Sequence, residues 1–325
     1  MMADAAPGGG LEPGVMIWNA ACLIQLEGDL DIMAIDPGLR NCGVARVVCD
    51  PMGVRLIYGL EEPIVYTFAE SLSINAGKLS ETLSATTGGN FARYLTLHSH
   101  PKRILIEVQP PYAVTGAIGR NTRCFTYGLL GGFLANGIQV EMRSVRHYKA
   151  DCFGFEVYSR REDNKHISLE VVRVLCAMFP LAMGPNQFLA TSNSDVADAL
   201  ILLFSAFVER VATLSLCQNL FPDLPLTNLQ LLHLSMILME VSLNPSLIDD
   251  PQWSLNHCKA IRGHELYQNL LQRSLVLSVE TTESKSKSTK RRKTTTSAGA
   301  SSASGLLVNP STMNRRSMIS SSPRE

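Results

Sequence analysis

Four carboxylates stand where carboxylates are costly. Asp36 closes the apolar run Ile32–Ile35, Glu107 interrupts the run Ile104–Val108, and Asp195 and Asp198 open a segment that continues Ala-Leu-Ile-Leu-Leu-Phe. A spacing of three puts Asp195 and Asp198 on one face of a helix. A lone carboxylate withdrawn from water is destabilising unless it is paired or coordinates a metal. No Lys or Arg lies close enough in sequence to neutralise all four. A hard divalent cation would: Mg2+ prefers a few carboxylate oxygens, with waters and phosphate oxygens completing its shell. Two such ions, about 4 Å apart, activate a water and stabilise the leaving oxygen of a phosphodiester. Each acid also has a plain reading. Asp36 precedes Pro37-Gly38 and could be a turn former; Asp195 could be a helix-start acid favoured by the macrodipole. Glu107, inside a strand-like run, and Asp198, one turn into an apolar helix, are harder to explain in that way.

The elements that must position these acids follow from periodicity. Asp31–Asp36, Gly43–Cys49 and Val54–Leu60 read as three strands with short connections, an antiparallel meander. Arg103–Val108 is short and almost wholly apolar, as a central strand is. Ser71–His98 is moderately helical, with Thr86–Asn90 as a break; a helix over Arg123–Asn136 is closed by Asn136-Gly137, and Ile138–Val145 is a fifth strand. Gly128, Gly131 and Gly132 match no phosphate-loop fingerprint and suit close helix packing. Asp151–Lys165 is polar and reads as a loop, Ile167–Phe179 as an amphipathic helix, and Ser194–Val208 as a buried helix capped by its serine. Val211–Val279 holds two or three more helices. The order is that of an α/β layer structure on a mixed sheet.

Composition sets the outer bounds. The chain has 325 residues, 46% of them hydrophobic, which excludes global disorder. No apolar run approaches the roughly 18 residues that span a bilayer. Met1–Gly14 lacks the basic and apolar regions of a secretory signal, so the expected setting is intracellular, whether nucleus, mitochondrion or viral replication site. The eight cysteines include no Cys-x-x-Cys pair and read as reduced core thiols. The zero net charge is unevenly distributed: residues 1–89 carry −7, 90–166 carry +5, 167–279 carry −4 and 280–325 carry +6. A basic middle segment and a basic tail are candidate contacts for a polyanion. Lys285–Lys293 packs 6 basic residues into 9 and reads as an import signal, a DNA tether or an inert solubilising tail.

The motifs Ile35-Asp36-Pro37-Gly38-Leu39-Arg40-Asn41-Cys42-Gly43-Val44-Ala45, Ile106-Glu107-Val108-Gln109 and Ser194-Asp195-Val196-Ala197-Asp198-Ala199-Leu200, in that order, resemble those of the RuvC-like Holliday junction resolvases, over roughly residues 31–208. Gln109 and the basic pair Arg160-Arg161 look more like the mitochondrial and large-DNA-virus branch than the bacterial one. The resemblance implies an α/β, ribonuclease-H-like fold: a mixed five-stranded sheet flanked by helices. On this reading 1–28 is a flexible N-terminal segment, 29–210 the nuclease domain, 211–279 a helical extension and 280–325 a disordered basic tail. It also implies four metal-binding acids, Asp36, Glu107, Asp195 and Asp198, and two Mg2+ or Mn2+ ions per site. Lys149 and Lys165 fall where the family places basic residues near the scissile phosphate. Tyr112 is the candidate for a junction-wedging aromatic, here separated from the middle motif by Pro110-Pro111, and Ser194 stands where bacterial members commonly have His. The implied assembly is a homodimer on branched DNA, with no membrane partner.

Further DNA contacts are assigned to Arg120, Arg123, Arg160, Arg161 and His166. The expected activity is resolution of four-way junctions, giving 5′-phosphate ends. Two alternatives stand beside it: another nuclease of the same fold acting on flaps or RNA–DNA hybrids, and a non-catalytic junction-binding protein.

Overall fold

A computed structural model describes residues 31–50, 53–67, 79–108, 116–154, 161–213 and 226–263. Tyr112, Arg160, the N-terminal segment and the basic tail lie outside these, as does the side chain of Arg161. Five strands form one sheet: β1 (Ile32–Asp36), β2 (Cys42–Asp50), β3 (Gly53–Glu61), β4 (Arg103–Val108) and β5 (Gln139–Ser144), in the order β3-β2-β1-β4-β5. β1, β2 and β3 pair antiparallel; β1, β4 and β5 pair parallel. This is the mixed five-stranded, ribonuclease-H-like sheet expected from the sequence.

Helices cover both faces: α1 (Glu81–Ser99), α2 (Ala117–Ala135), α3 (Arg161–Met178), the short α4 (Pro180–Met183) and α5 (Gln187–Ser192), α6 (Ser194–Thr213), α7 (Asn228–Leu243) and α8 (Pro251–Gly263). Alternation along the central strands divides the core in two. Met33, Ile35, Ile104 and Ile106 pack with Phe91, Leu95, Phe125 and Leu129 of α1 and α2. Ile32, Ala34 and Leu105 pack with α3, α6 and α7 on the opposite face. The same alternation sends Asp36 and Glu107 to the α6 face.

Three local expectations are corrected. Helix α1 runs unbroken through Thr86–Asn90. A glycine inside a helix costs roughly 1 kcal/mol, but here it permits close contact with α2: a Cβ on Gly88 would lie 2.2 Å from the Phe125 carbonyl oxygen, and one on Gly128 2.0 Å from that of Ala85. Gly128 and Gly132 thus pack helix on helix as expected, whereas Gly131 faces open space. The stretch read as a loop over Asp151–Lys165 instead has a π-helix, Arg146–Asp151, running into its start, and its last residues open α3. Lys165 is polar because it faces α6, not because the chain is irregular. Finally, the cap of α6 is Asn193, whose Oδ1 accepts from the backbone N–H groups of Asp195 and Val196 at 3.0 and 3.2 Å; the Ser194 hydroxyl is engaged by Lys165 instead.

The region beyond residue 211 contributes α7, which packs on α6 and β3 and is buried along nearly its whole length. Among the described residues no helix is long and apolar enough to cross a membrane. Between α7 and α8, His233 Nε2 lies 3.1 Å from His257 Nδ1, and both rings pack on Phe179. Burial holds the pKa of His257 down at about 4; burial and then the His257 charge hold His233 at about 3. A histidine kept neutral in the fold stabilises it above the ordinary value of 6.5, and that stability is lost as pH falls toward the folded value. The slope is about 1.4 kcal/mol per pH unit for each histidine. Urea unfolding between pH 6.5 and 4 is therefore expected to show a shallower loss of stability in His257→Phe than in the wild type; equal slopes would remove the pair from the acid sensitivity.

Candidate metal centre

β1 and β4 run parallel with Ile35 beside Ile106, so Asp36 and Glu107 follow at adjacent strand ends. Helix α6 crosses this face and presents Asp198 from its second turn. Close approach of α6 depends on Gly43: a Cβ there would stand 2.0 Å from the Asp195 carbonyl oxygen. Asp36, Glu107 and Asp198 each offer an oxygen, and all three oxygens lie within 4.8 Å of one another. The three residues are only 7%, 7% and 6% exposed. Burial first, then the negative charges of Glu107, Asp198 and Asp195, push the Asp36 carboxyl well above the ordinary range, opposed by Lys165.

The four acids of the sequence reading thus arrive as three and one. Asp195 sits a turn earlier on α6, close enough to act on Asp36 electrostatically, with its own carboxylate ion-paired to Lys165. Lys165, on α3, also donates to Ser194 Oγ at 3.0 Å. Lys149 is not a solvated surface residue: it is buried, and its Nζ reaches Asp198 Oδ1 at 2.6 Å and the Asn164 carbonyl at 3.3 Å. Two lysines remote in sequence therefore supply part of the neutralisation that no neighbouring residue could.

Two participants escaped the sequence analysis. The Tyr148 hydroxyl donates to Glu107 Oε2, and the Ser168 hydroxyl donates to Asp198 Oδ1. Burial and the nearby carboxylates hold the Tyr148 pKa well above its usual value, so it remains a neutral donor. The available signals were adjacency to Lys149 and, for Ser168, a helical spacing of three from Lys165.

Among the described residues, the sequence candidates Arg120, Arg123 and His166 do not converge on the acids. Arg120 and Arg123 lie in the first turns of α2, across the sheet from α6, and Arg120 pairs with exposed Glu81 at 3.2 Å. His166 is exposed, 4.0 Å from Glu170.

The donor set suits a small hard cation. It offers three buried carboxylates, all-oxygen, with net negative charge left after the two lysines. The arrangement defined here is a mixed five-stranded sheet with acids converging at adjacent parallel strand ends. No family model matches the chain, and no curated protein does. It is similar to solved structures of Thermus thermophilus RuvC, at 19% identity and a TM-score of 0.37 over 56% of this chain and 96% of that one. A second T. thermophilus RuvC structure, in complex with a Holliday junction substrate, aligns at 17% identity and a TM-score of 0.36, covering 56% of this chain and 96% of that chain. The yeast mitochondrial Holliday junction resolvase Ydc2 aligns at 11% identity and a TM-score of 0.40, covering 73% of this chain and 89% of that one.

Crowded like charges predict a stability gain on losing one. In metal-free buffer Asp36→Asn is expected to be more stable than the wild type by about 1 kcal/mol, measured by urea unfolding. Added Mg2+ or Mn2+ should stabilise the wild type and leave the variant unchanged. A variant less stable than the wild type in metal-free buffer would show that the acids do not repel one another.

Proposed function

We propose that the protein is a metal-dependent endonuclease that resolves four-way DNA junctions by hydrolysis, leaving 5′-phosphate and 3′-hydroxyl ends. The observation that carries this reading is the convergence of Asp36, Glu107 and Asp198 within 4.8 Å on a ribonuclease-H-like sheet. The three motifs that supply these acids are also the ones that resemble the resolvases.

In this reading Asp36, Glu107 and Asp198 hold the metal, and Asp195 adds charge beside them. Mg2+ or Mn2+, two ions per site, supplies activation of water and neutralisation of phosphate charge when bound. Tyr148 and Ser168 fix the orientation of Glu107 and Asp198 by hydrogen bonding. Lys149 is too enclosed to meet DNA and sets the position of Asp198. Lys165, 24% exposed at its side chain and paired with Asp195, is the more accessible of the two lysines and is assigned the contact to a phosphate. Arg120, Arg123, Arg160, Arg161, His166 and Tyr112 contribute backbone or base contacts on the branched substrate. A homodimer presents two such sites to two strands.

The test is a labelled synthetic four-way junction incubated with and without Mg2+, alongside flap and RNA–DNA hybrid substrates. Symmetric cuts in the junction, only with metal, are expected. Asp36→Asn, Glu107→Gln and Asp198→Asn should each lower cleavage by more than the roughly 10–100-fold that outer partners of a metal site cost, while junction binding is retained. Preferential cleavage of the hybrid or flap would assign the same site to a different substrate, and unchanged cleavage in the variants would end the proposal.

A further inference from the structure

A second cluster of ligating side chains lies on the far side of the π-helix. His147 and Cys152 are five residues apart, a separation that would put them about 140° apart around an α-helix. The π-helix changes this: the Cys152 amide donates to the His147 carbonyl at 2.9 Å, closing a turn over five residues and bringing both side chains to one face. Cys152 Sγ stands 4.0 Å from His147 Nε2. Glu209, from the C-terminal half of α6, places Oε1 at 3.7 Å from the same nitrogen. All three ligand atoms lie within 4.8 Å of one another.

We propose that His147, Cys152 and Glu209 form a zinc site. A nitrogen, a thiolate and a carboxylate oxygen are ligands zinc takes, with bonds of about 2.0–2.3 Å. Ligand atoms around a tetrahedral ion then stand roughly 3.3–3.8 Å apart, so the observed separations need only modest closure. Water takes the fourth position. The site is accessible, since the side chains of His147 and Glu209 are 45% and 41% exposed, while the thiol is enclosed. The carboxylate is held in place: Arg143, itself buried, donates to Glu209 Oε2 and to Ser205 Oγ, leaving Oε1 on the His147 side. This is the kind of outer contact that orients a metal ligand. Binding releases the thiol proton to solvent. The ion would tie the π-helix that carries Tyr148 and Lys149 to the helix that carries Asp198. The proposal does not depend on the nuclease reading.

The probe is Co2+, titrated into the metal-free full-length protein under reducing conditions. A thiolate-to-cobalt charge-transfer absorption reaching saturation at one equivalent, and displaced by Zn2+, is expected. Asp36→Asn should keep this absorption, which separates the site from the carboxylate centre. Cys152→Ser should abolish it, and His147→Ala and Glu209→Gln should each weaken Co2+ binding more than about tenfold. If Cys152→Ser does not fold, the two variants at the more exposed positions decide. Absence of a thiolate absorption in the wild type, its persistence in Cys152→Ser, or unchanged affinity in both of the other variants would overturn the proposal.

Discussion

Mutual repulsion among enclosed carboxylates is the constraint on which the rest of this molecule depends. Asp36, Glu107 and Asp198 are each almost wholly removed from water and share one small volume. Such a group is unfavourable in the absence of a cation. The fold tolerates it because the three acids are fixed on rigid elements, two at the ends of parallel strands and one on a helix buried on most sides. Their backbone positions are set by apolar packing on both faces of the sheet rather than by the charges themselves.

What surrounds the acids offsets only part of the strain. Lys149 and Lys165 bring positive charge from the π-helix and from α3, while Tyr148 and Ser168 give neutral hydrogen bonds. A purely structural arrangement would pair every acid with a base or replace the group by apolar side chains of similar volume. Three carboxylates around partial compensation fit the cation site proposed above. The same elements serve the inferred zinc site, since the π-helix faces the acids with Tyr148 and Lys149 and faces Arg143 and Glu209 with His147 and Cys152.

Much of this was legible in the sequence, for identifiable reasons. Strands buried on both faces show as apolar runs, so a carboxylate inside one is conspicuous; Glu107 is the clearest instance. The five strands and the apolar α6 followed from apolar runs and the turn residues between them. The break assigned at Thr86–Asn90 failed because glycine propensity is a local quantity, whereas the benefit at Gly88 comes from a helix nearly forty residues away. Tyr148 and Ser168 were missed because a lone hydroxyl in a polar stretch has no period and no motif. The fourth acid, Asp195, was correctly placed on the helical face of Asp198, but its pairing with Lys165 depends on how α3 meets α6, which no spacing within either segment encodes. The π-helix was likewise invisible, and with it the juxtaposition of His147 and Cys152.

The central claim is that a cation relieves these three carboxylates, and diffraction can address it directly. Crystals of the full-length protein grown with Mn2+, measured for anomalous scattering, should show manganese bound by oxygens of Asp36, Glu107 and Asp198. Saturating Mn2+ that leaves no anomalous peak between these side chains would contradict the account.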